Sequence, residues 1–433
     1  MYSRRSPTKT WIKKPTDEER LRNIKYLSGP ISWYTFNYQN VNYIFFGDAH
    51  MSKENNCESL GYQCADVDTN LNIPTGIGLP ECVSLSVYLD LLFKYNNKQN
   101  IITDFFTEHP FISNELSQKN KQNNNDYMGN VFSVLSDCLQ QNKQNCQYNP
   151  NVRIHYADTR RKLLENDKLI VPINIRGFDF EYDSNSVIAS DINPLYYMTN
   201  VFPIVKNMII SNNSRKILQQ EINDMQSIFD FIYENTFYVY KISTEELDFP
   251  QALNILIDNI PNNLQGMFLE EQLSNMLDLT SFRDNKYMFK IAVQLKSLRE
   301  NGKSDIANKI ILFMSKKLTY IINKFHISYQ RFISQCSKYL TKDISKWNLD
   351  QKFITAYDDL IINILKLGSI NIDTYLLARM FKYNDTDQVI VYAGKYHIDN
   401  YVEFFKEILS VKLNNAYSTH NLQRCIVGFI PTV

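Results

Sequence analysis

Two apolar segments at opposite ends of the chain end in the same way, and this constrains the fold more than any other feature. Residues 41–50 read VNYIFFGDAH and residues 389–397 read VIVYAGKYH, so each apolar run leads to glycine, two further residues and histidine. Strands that are apolar throughout are typical of the interior of a parallel sheet. We therefore predict that both segments lie in one sheet, with His50 and His397 in the crevice beyond the strand ends. The two glycines are expected to allow the sharp turns there.

Further patterns fill in the rest of this sheet. Residues 31–48 form a predicted hairpin that turns at Gln39 and Asn40. Additional predicted strands lie at residues 101–107, 152–156, 173–180 and 425–429, and predicted helices at 83–95, 131–141, 373–381 and 401–409. Between about 190 and 366 strand patterns disappear and long amphipathic runs dominate. The fold class we predict is α/β, a mixed central sheet flanked by helices, with a large all-helical insertion.

The domain organisation follows from the same patterns. Residues 1–30 are expected to form a basic flexible tail, because the first fourteen residues carry five basic side chains and no acid. Residues 31–189 are the predicted first half of the α/β core, residues 190–366 the helical insertion and residues 367–433 the second half of the core.

Composition limits the partners and the compartment. Lys plus Arg number 46 and Asp plus Glu number 46, so the net charge is zero and nucleic acid is not expected as the main partner. No apolar run approaches the roughly 20 residues that cross a bilayer. The first residues lack the apolar core of a secretory signal, so we expect a cytoplasmic protein. Abundant Asn with few Gly and Pro suits an AT-rich genome such as that of a large DNA virus, and then the host cytoplasm or the virion is expected.

Seven cysteines are too few for a disulfide scaffold in a chain of this length. Cys57, Cys64 and Cys82 fall in one loop-like stretch that follows His50, and we expect this loop to cover the site. Their spacing is not that of a CxxC pair, so it supports a structural zinc site only weakly. Free thiols are the expectation for a cytoplasmic chain, and a local disulfide among these three cysteines is the alternative.

Polar residues also follow other predicted strands. The segment IITDFFTEH places Asp104, Glu108 and His109 towards the end of its strand, and VRIHYADTRR places His155 and Asp158 near the end of the next. Imidazole and carboxylate groups that meet at one edge of a sheet can hold Zn, Mn, Co or Fe.

These motifs resemble those of the clan that contains the TIKI metalloproteases, the TraB/PrgY proteins, the haem-binding ChaN lipoproteins and the erythromycin esterases. The resemblance lies in a first G-x-x-H with an acidic second residue (here Asp48, followed by His50), in an acid at the end of the next strand (here Glu108), and in an Arg-bearing helix before a second G-x-x-H (here Arg379 and His397). The segment from residue 373 to residue 401 looks most like uncharacterised members from large DNA viruses. The matched stretches cover about half of the chain, and Asp48 stands where many members have Glu.

The resemblance implies a hydrolase of peptides or esters that depends on a divalent metal, with Mn, Co or Zn as the candidates. His50 and His397 would be metal ligands or general bases, and Asp48 and Glu108 would be further ligands or would orient the imidazoles. Arg379 could bind a substrate carboxylate or the oxyanion. In a metal-free form, as in the esterase branch, a histidine would itself deprotonate water. The sequence does not indicate an oligomeric state.

Two other classes of function were weighed. The tripeptide from Asp48 to His50 imitates the opening D-x-H of calcineurin-like phosphoesterases, but the remaining motifs of that family are missing from the sequence. The other class is non-enzymatic, either a virion or scaffold protein that keeps the fold or a haem binder like the ChaN branch. The long helical block and the basic tail favour an interaction role.

Overall fold

The structure of the protein, a computed structural model, describes residues 15–49, 56–65, 81–111, 151–162, 240–242, 245–247, 249–259, 285–340, 351–419 and 423–431, with isolated positions at 131, 135, 148, 150 and 219. The strands are β1 Tyr26–Ser28, β2 Ser32–Tyr38, β3 Val41–Asp48, β4 Cys64–Ala65, β5 Cys82–Ser84, β6 Thr103–Phe111, β7 Val152–Lys162, β8 Tyr240–Ile242, β9 Glu245–Leu247, β10 Gln388–Gly394, β11 Asn415–Ser418 and β12 Cys425–Val427. The helices are α1 Asp17–Arg22, α2 Leu85–Gln99, α3 Phe249–Asn259, α4 Asn285–Glu300, α5 Ser304–Leu340, α6 Gln351–Met380 and α7 Lys395–Glu403.

The main sheet has six strands in the order β11-β2-β3-β10-β6-β7. Strand β10 runs parallel to both of its neighbours, β3 and β6, and Gly394 lies opposite Asp48. The two apolar segments from opposite ends of the chain are therefore adjacent strands, which confirms the predicted shared sheet. The predicted hairpin is formed by β2 and β3. Its turn residues Gln39 and Asn40 both have positive φ, 49° and 64°, as a tight two-residue hairpin turn requires.

Helices cover both faces of this sheet, as predicted. One face carries Phe45, Phe106 and Val391 and packs on a large apolar core formed with α3 to α7; we call it the helical face. The alternate residues, such as Phe46 and Ile390, point the other way and pack with α1, α2 and a second sheet; we call this the opposite face. Period-2 alternation along each strand thus assigns every strand-end side chain to one face or the other.

The second sheet is small, with the order β12-β1-β5-β4 and strands of two or three residues. Strand β1 and helix α1 lie within residues 1–30, which the charge pattern had predicted to be a flexible tail. Helix α1 begins after a capping box, in which Thr16 accepts from the Glu19 backbone and the Glu19 side chain accepts from the Thr16 backbone. Residues 1–14, the most basic part of the predicted tail, lie outside the described residues.

Four cysteines of this region form two disulfides, Cys57–Cys425 and Cys64–Cys82. The expectation of free thiols is therefore wrong for these four, and the alternative of a local disulfide holds for Cys64 and Cys82. No sequence pattern indicated the Cys57–Cys425 bond, because 368 positions separate its two residues. Cys336, buried in α5, is not part of a disulfide.

The described part of the middle block is mainly helical. Helix α6 runs without a break for 30 residues, so it passes through the predicted boundary at 366 and joins the block to the second half of the core. The short antiparallel pair β8 and β9 interrupts the helical pattern, and strands of three residues are too short for a periodicity to reveal. The predicted strand at 173–180 and most of the helix at 131–141 lie outside the described residues. None of the described helices has an apolar stretch long enough to cross a membrane.

Candidate active site

The carboxyl ends of β3, β10 and β6 meet at one edge of the main sheet. Gly394 ends β10 and is the N-cap of α7, and its φ of −53° is open to other residues. Gly47 has a different role, because a Cβ atom there would lie 2.2 Å from Ser32 Oγ and 3.1 Å from the Lys395 Cα. The absence of a side chain at Gly47 therefore leaves room for α7 to begin against β3. The sequence had predicted a different role for this glycine, which was to allow a sharp turn.

His397 lies in the first turn of α7 and is held between two acids. Its Nδ1 is 2.5 Å from Asp373 Oδ1, and its Nε2 is 3.2 Å from Glu108 Oε1. Asp373 also accepts a hydrogen bond from Asn400, at 2.8 Å. Glu108 Oε2 accepts from the Gly394 backbone N–H at 2.7 Å, which fixes the carboxylate at the end of β10. We call Asp373, His397 and Glu108 the carboxyl-edge triad.

Charge sets the protonation of this triad. Burial alone would lower the pKa of His397, but the nearby charges of Glu108 and Asp373 and their hydrogen bonds outweigh it and raise the pKa from 6.5 to about 10. His397 is 6% exposed, so water does little to screen these charges. At neutral pH the ring of His397 is therefore an imidazolium.

Asp48 does not join this triad. Alternation along β3 places its side chain on the opposite face of the sheet from Phe45, and there its Oδ1 lies 3.0 Å from Nη1 of Arg424. Both residues of this ion pair are about 1% exposed. Arg424 also donates to the Gly29 carbonyl, so the pair ties the end of β3 to the second sheet. Sequence reasoning missed Arg424, which directly precedes β12 and belongs to no motif.

The other two predicted site residues have different outcomes. His50 lies outside the described residues, so the predicted meeting of the two histidines stays a prediction. Arg379 lies in the last turn of α6, and its guanidinium is 3.2 Å from Gln294 Oε1 in α4. Its charge is also among those that act on His155. The role of Arg379 in catalysis stays a prediction as well.

Sequence reasoning missed Asp373, although a signal was present. The residue lies in the helical run SINIDTYLLARM, where its same-face neighbours Ile370, Leu376 and Leu377 are apolar. Asp373 itself is fully buried. An acid on the apolar face of a helix needs an internal partner, and a histidine 24 positions later supplies it here.

A second buried cluster lies at the other end of β6. The Asp104 carboxylate is hydrogen-bonded to His155 at 2.6 Å and accepts two hydrogen bonds from Arg153, at 2.8 and 2.9 Å. It also accepts a hydrogen bond from Thr386 at 2.5 Å. Asp104 is the second residue of its strand, so it lies at the amino end of β6 and not at the carboxyl edge where the sequence pattern placed it. We call Asp104, His155 and Arg153 the amino-end cluster.

The amino-end cluster has the reverse protonation. Burial lowers the pKa of His155, and the charges of Arg379 and Arg153 lower it further against the opposing effect of Asp104. Burial would raise the pKa of Asp104, but hydrogen bonds from His155 and Arg153 outweigh it and the net shift is downward. This cluster therefore holds a charged Asp104 against Arg153, with His155 neutral at pH 7.

The triad offers part of a metal shell. The 3.2 Å between His397 Nε2 and Glu108 Oε1 matches the roughly 3.0–3.4 Å between two ligands that each lie about 2.0–2.1 Å from one ion. A carboxylate on the other ring nitrogen, here Asp373, is the usual support of a metal-binding histidine. Among the described residues, however, no third His, Cys or acidic side chain converges with this pair; the one group of three is formed by cysteines of the second sheet.

Comparisons with known proteins add no family to this description. No protein-family model matches the chain, and neither the curated proteins nor the solved structures contain a significant match. The function is therefore inferred from the geometry of the carboxyl edge.

Proposed function

We propose that this chain is a hydrolase of ester or amide bonds, of the type found in the TIKI, TraB and erythromycin-esterase clan. The observation that carries the proposal is the carboxyl-edge triad, in which Asp373, His397 and Glu108 are linked in series where three parallel strands end. Ligands bind beyond the carboxyl ends of strands in open α/β sheets, and carboxylate–imidazole pairs perform proton transfer there.

The protonation state of the triad assigns the roles. Because the pKa of His397 is about 10, its imidazolium is the general acid at neutral pH and protonates the leaving group. Glu108 is the general base that accepts a proton from the attacking water. Asp373 is a positioning residue, which keeps the ring oriented and its Nδ1 occupied. The first turn of α7 directs backbone N–H groups and the positive end of the helix towards the same edge, where an oxyanion would develop.

The metal-dependent form of this proposal uses the same two residues. His397 and Glu108 would hold the divalent ion, with Asp373 supporting the imidazole, and the remaining ligands would come from residues such as His50. Such an ion supplies hydroxide by lowering the pKa of a bound water.

Hydrolysis assays of the full chain test the proposal. The substrates are a p-nitrophenyl ester and an unstructured peptide, and the enzyme is assayed after chelation and after reloading with Mn, Co or Zn. We expect turnover by the wild type and its loss in Glu108→Gln. His326→Gln, a change on the distant helix α5, is the matched control and should keep full turnover. A wild type without turnover on either substrate in every metal condition, or an active Glu108→Gln variant, would contradict the proposal.

A second candidate function is a scaffold protein that retains the fold without catalysis. The supporting observation is that both nitrogens of His397 and both oxygens of Glu108 already have protein partners. The triad would then be an internal tie between α6, α7 and β6. Under this alternative Glu108→Gln lowers the unfolding temperature and the wild type is inert.

A further inference from the structure

Four of the seven cysteines converge on the second sheet from distant parts of the chain. Cys64, Cys82 and Cys425 lie in three of its four strands, and Cys57 lies just before a short 3-10 turn. The Sγ atoms of Cys57, Cys64 and Cys82 all lie within 4.8 Å of one another, and Cys425 is bonded to Cys57. Such a convergence is used in proteins either for disulfides or for a metal ion.

Three of these four sulfurs are shielded from water. Cys57 and Cys425 are fully buried and Cys82 is 3% exposed, while Cys64 is partly exposed. The rings of Tyr26 and Tyr62 stack beside them with a centroid distance of 4.1 Å, and both tyrosines pack on the cysteine cluster. Such shielding strengthens the bonds between thiolates and a cation.

We propose that in the reduced protein Cys57, Cys64 and Cys82 bind one zinc ion, with Cys425 as the fourth ligand. Reduction of each disulfide takes two electrons and two protons from a dithiol reductant and yields two thiols. Zinc then displaces the thiol protons and binds the thiolates. The two disulfides of the structure are the oxidised form of the same site. A chain held in a reducing environment is therefore in the zinc form.

The distances suit this exchange. Zinc binds thiolate sulfur at about 2.3 Å, so the sulfurs of a tetrahedral site are about 3.8 Å apart. The three clustered sulfurs are within 4.8 Å of one another, so side-chain rotation brings them to that spacing. Cys425 has further to move, because it shares a bond with Cys57 alone and is not within the group of three. Its loss should therefore weaken zinc binding less than the loss of any of the other three.

The second sheet needs a cross-link between its strands in either redox state, from the disulfides or from zinc. Its strands have only two or three residues, and sheets this small are marginal without a further constraint. Arg424, which directly precedes strand β12, also pairs with Asp48 at the end of β3. The zinc site thus has a structural role, which is to hold this strand in place when the disulfides are reduced.

Zinc analysis of the full chain tests the proposal. The protein is purified with a thiol reductant and without added metal, and zinc is measured by elemental analysis. We expect about one zinc per chain, lost to well below half in Cys57→Ser, Cys64→Ser and Cys82→Ser and retained with lower affinity in Cys425→Ser. Cys336→Ser changes a buried cysteine that belongs to neither disulfide and is the matched control, which should keep its zinc.

Two further measurements keep the proposal falsifiable where a variant fails to fold. Chelation of the reduced wild type should lower its unfolding temperature, and added zinc should restore it. Cobalt substitution should give the intense thiolate-to-metal absorption of a tetrahedral sulfur site. Reduced, folded wild type without zinc would overturn the proposal. So would recovery of both disulfides from cells lysed with thiols blocked, or zinc content that Cys64→Ser leaves unchanged.

Discussion

The two ends of β6 carry two buried histidine–carboxylate clusters that behave in opposite ways. At the amino end, Asp104 is shared by a guanidinium and an imidazole, and the pKa of His155 is lowered. At the carboxyl edge, two carboxylates face one imidazole, and the pKa of His397 is raised to about 10. The local balance of charges, and not the residue type or the depth of burial, therefore decides whether a histidine can supply a proton.

The largest expected difference between the clusters is in activity. His397→Gln should lower hydrolysis at least about 100-fold, because general acid catalysis contributes roughly 10²–10⁴ in rate. His155→Gln should leave the rate within a few-fold, since its cluster lies at the other end of the sheet. Initial rates on the p-nitrophenyl ester measure both, with circular dichroism to verify the fold. Equal losses in the two variants would show that both act through stability.

The next difference is in stability. Asp104→Ala leaves the partly exposed guanidinium of Arg153 without its buried carboxylate, and breaking a fully buried ion pair costs about 3–5 kcal/mol. Arg153 keeps its second partner, Asp385, so we expect the lower end of that range. Urea unfolding gives the free energy of unfolding. The control is Asp305→Ala, which removes an exposed pair with Lys309 on α5 and should not move the midpoint. An unchanged midpoint in Asp104→Ala would mean that the amino-end cluster is not a structural clamp.

The two histidines should also give stability opposite dependences on pH. The pKa of His397 is raised in the fold, so its stabilising contribution is complete below about pH 6.5 and fades as the pH rises towards about 10. The pKa of His155 is lowered, so folding favours the neutral ring, and its contribution is complete above about pH 6.5 and fades at lower pH. Unfolding free energies of wild type, His397→Gln and His155→Gln at about pH 5, 7 and 9 measure this. If the unfolding free energies of the two variants change with pH in the same way, the two histidines do not have opposite effects on stability.

The smallest effect is expected at Arg379. Its guanidinium is bonded to Gln294 and its charge acts on His155, so it belongs with the amino-end cluster rather than with the triad. Arg379→Gln should therefore change hydrolysis by no more than about threefold, and Gln294→Ala is the paired control. A loss of 100-fold or more in the hydrolysis rate of Arg379→Gln alone would instead support the role in substrate binding that the resemblance implied.

The sequence was most informative where a pattern repeats along the chain. The two apolar runs that end in G-x-x-H predicted two strands of one sheet, and the break at Gln39 and Asn40 predicted the hairpin turn. Glu108 was placed near His397 because parallel strands end at one edge. The sequence could not assign Asp48 to the opposite face, because that depends on which residue of an all-apolar strand points which way.

Contacts between distant segments were also beyond the reach of local patterns. Asp373 in α6 contacts His397 in α7, and Arg424, just before β12, contacts Asp48 at the end of β3. The bond between Cys57 and Cys425 spans nearly the whole chain. Each of these depends on tertiary packing that no spacing in the sequence encodes.

The central position of β10 determines when the site can form during synthesis. Strand β10 inserts between β3 and β6, yet it begins at Gln388 and is made long after both of them. Until then β3 and β6 each have an unpaired edge, and the bonds that this sheet needs join residues far apart in the chain. Folding with such non-local contacts is slow, and exposed edges invite pairing with other chains. The nascent protein should therefore depend on the ribosome or on chaperones to protect those edges until β10 emerges.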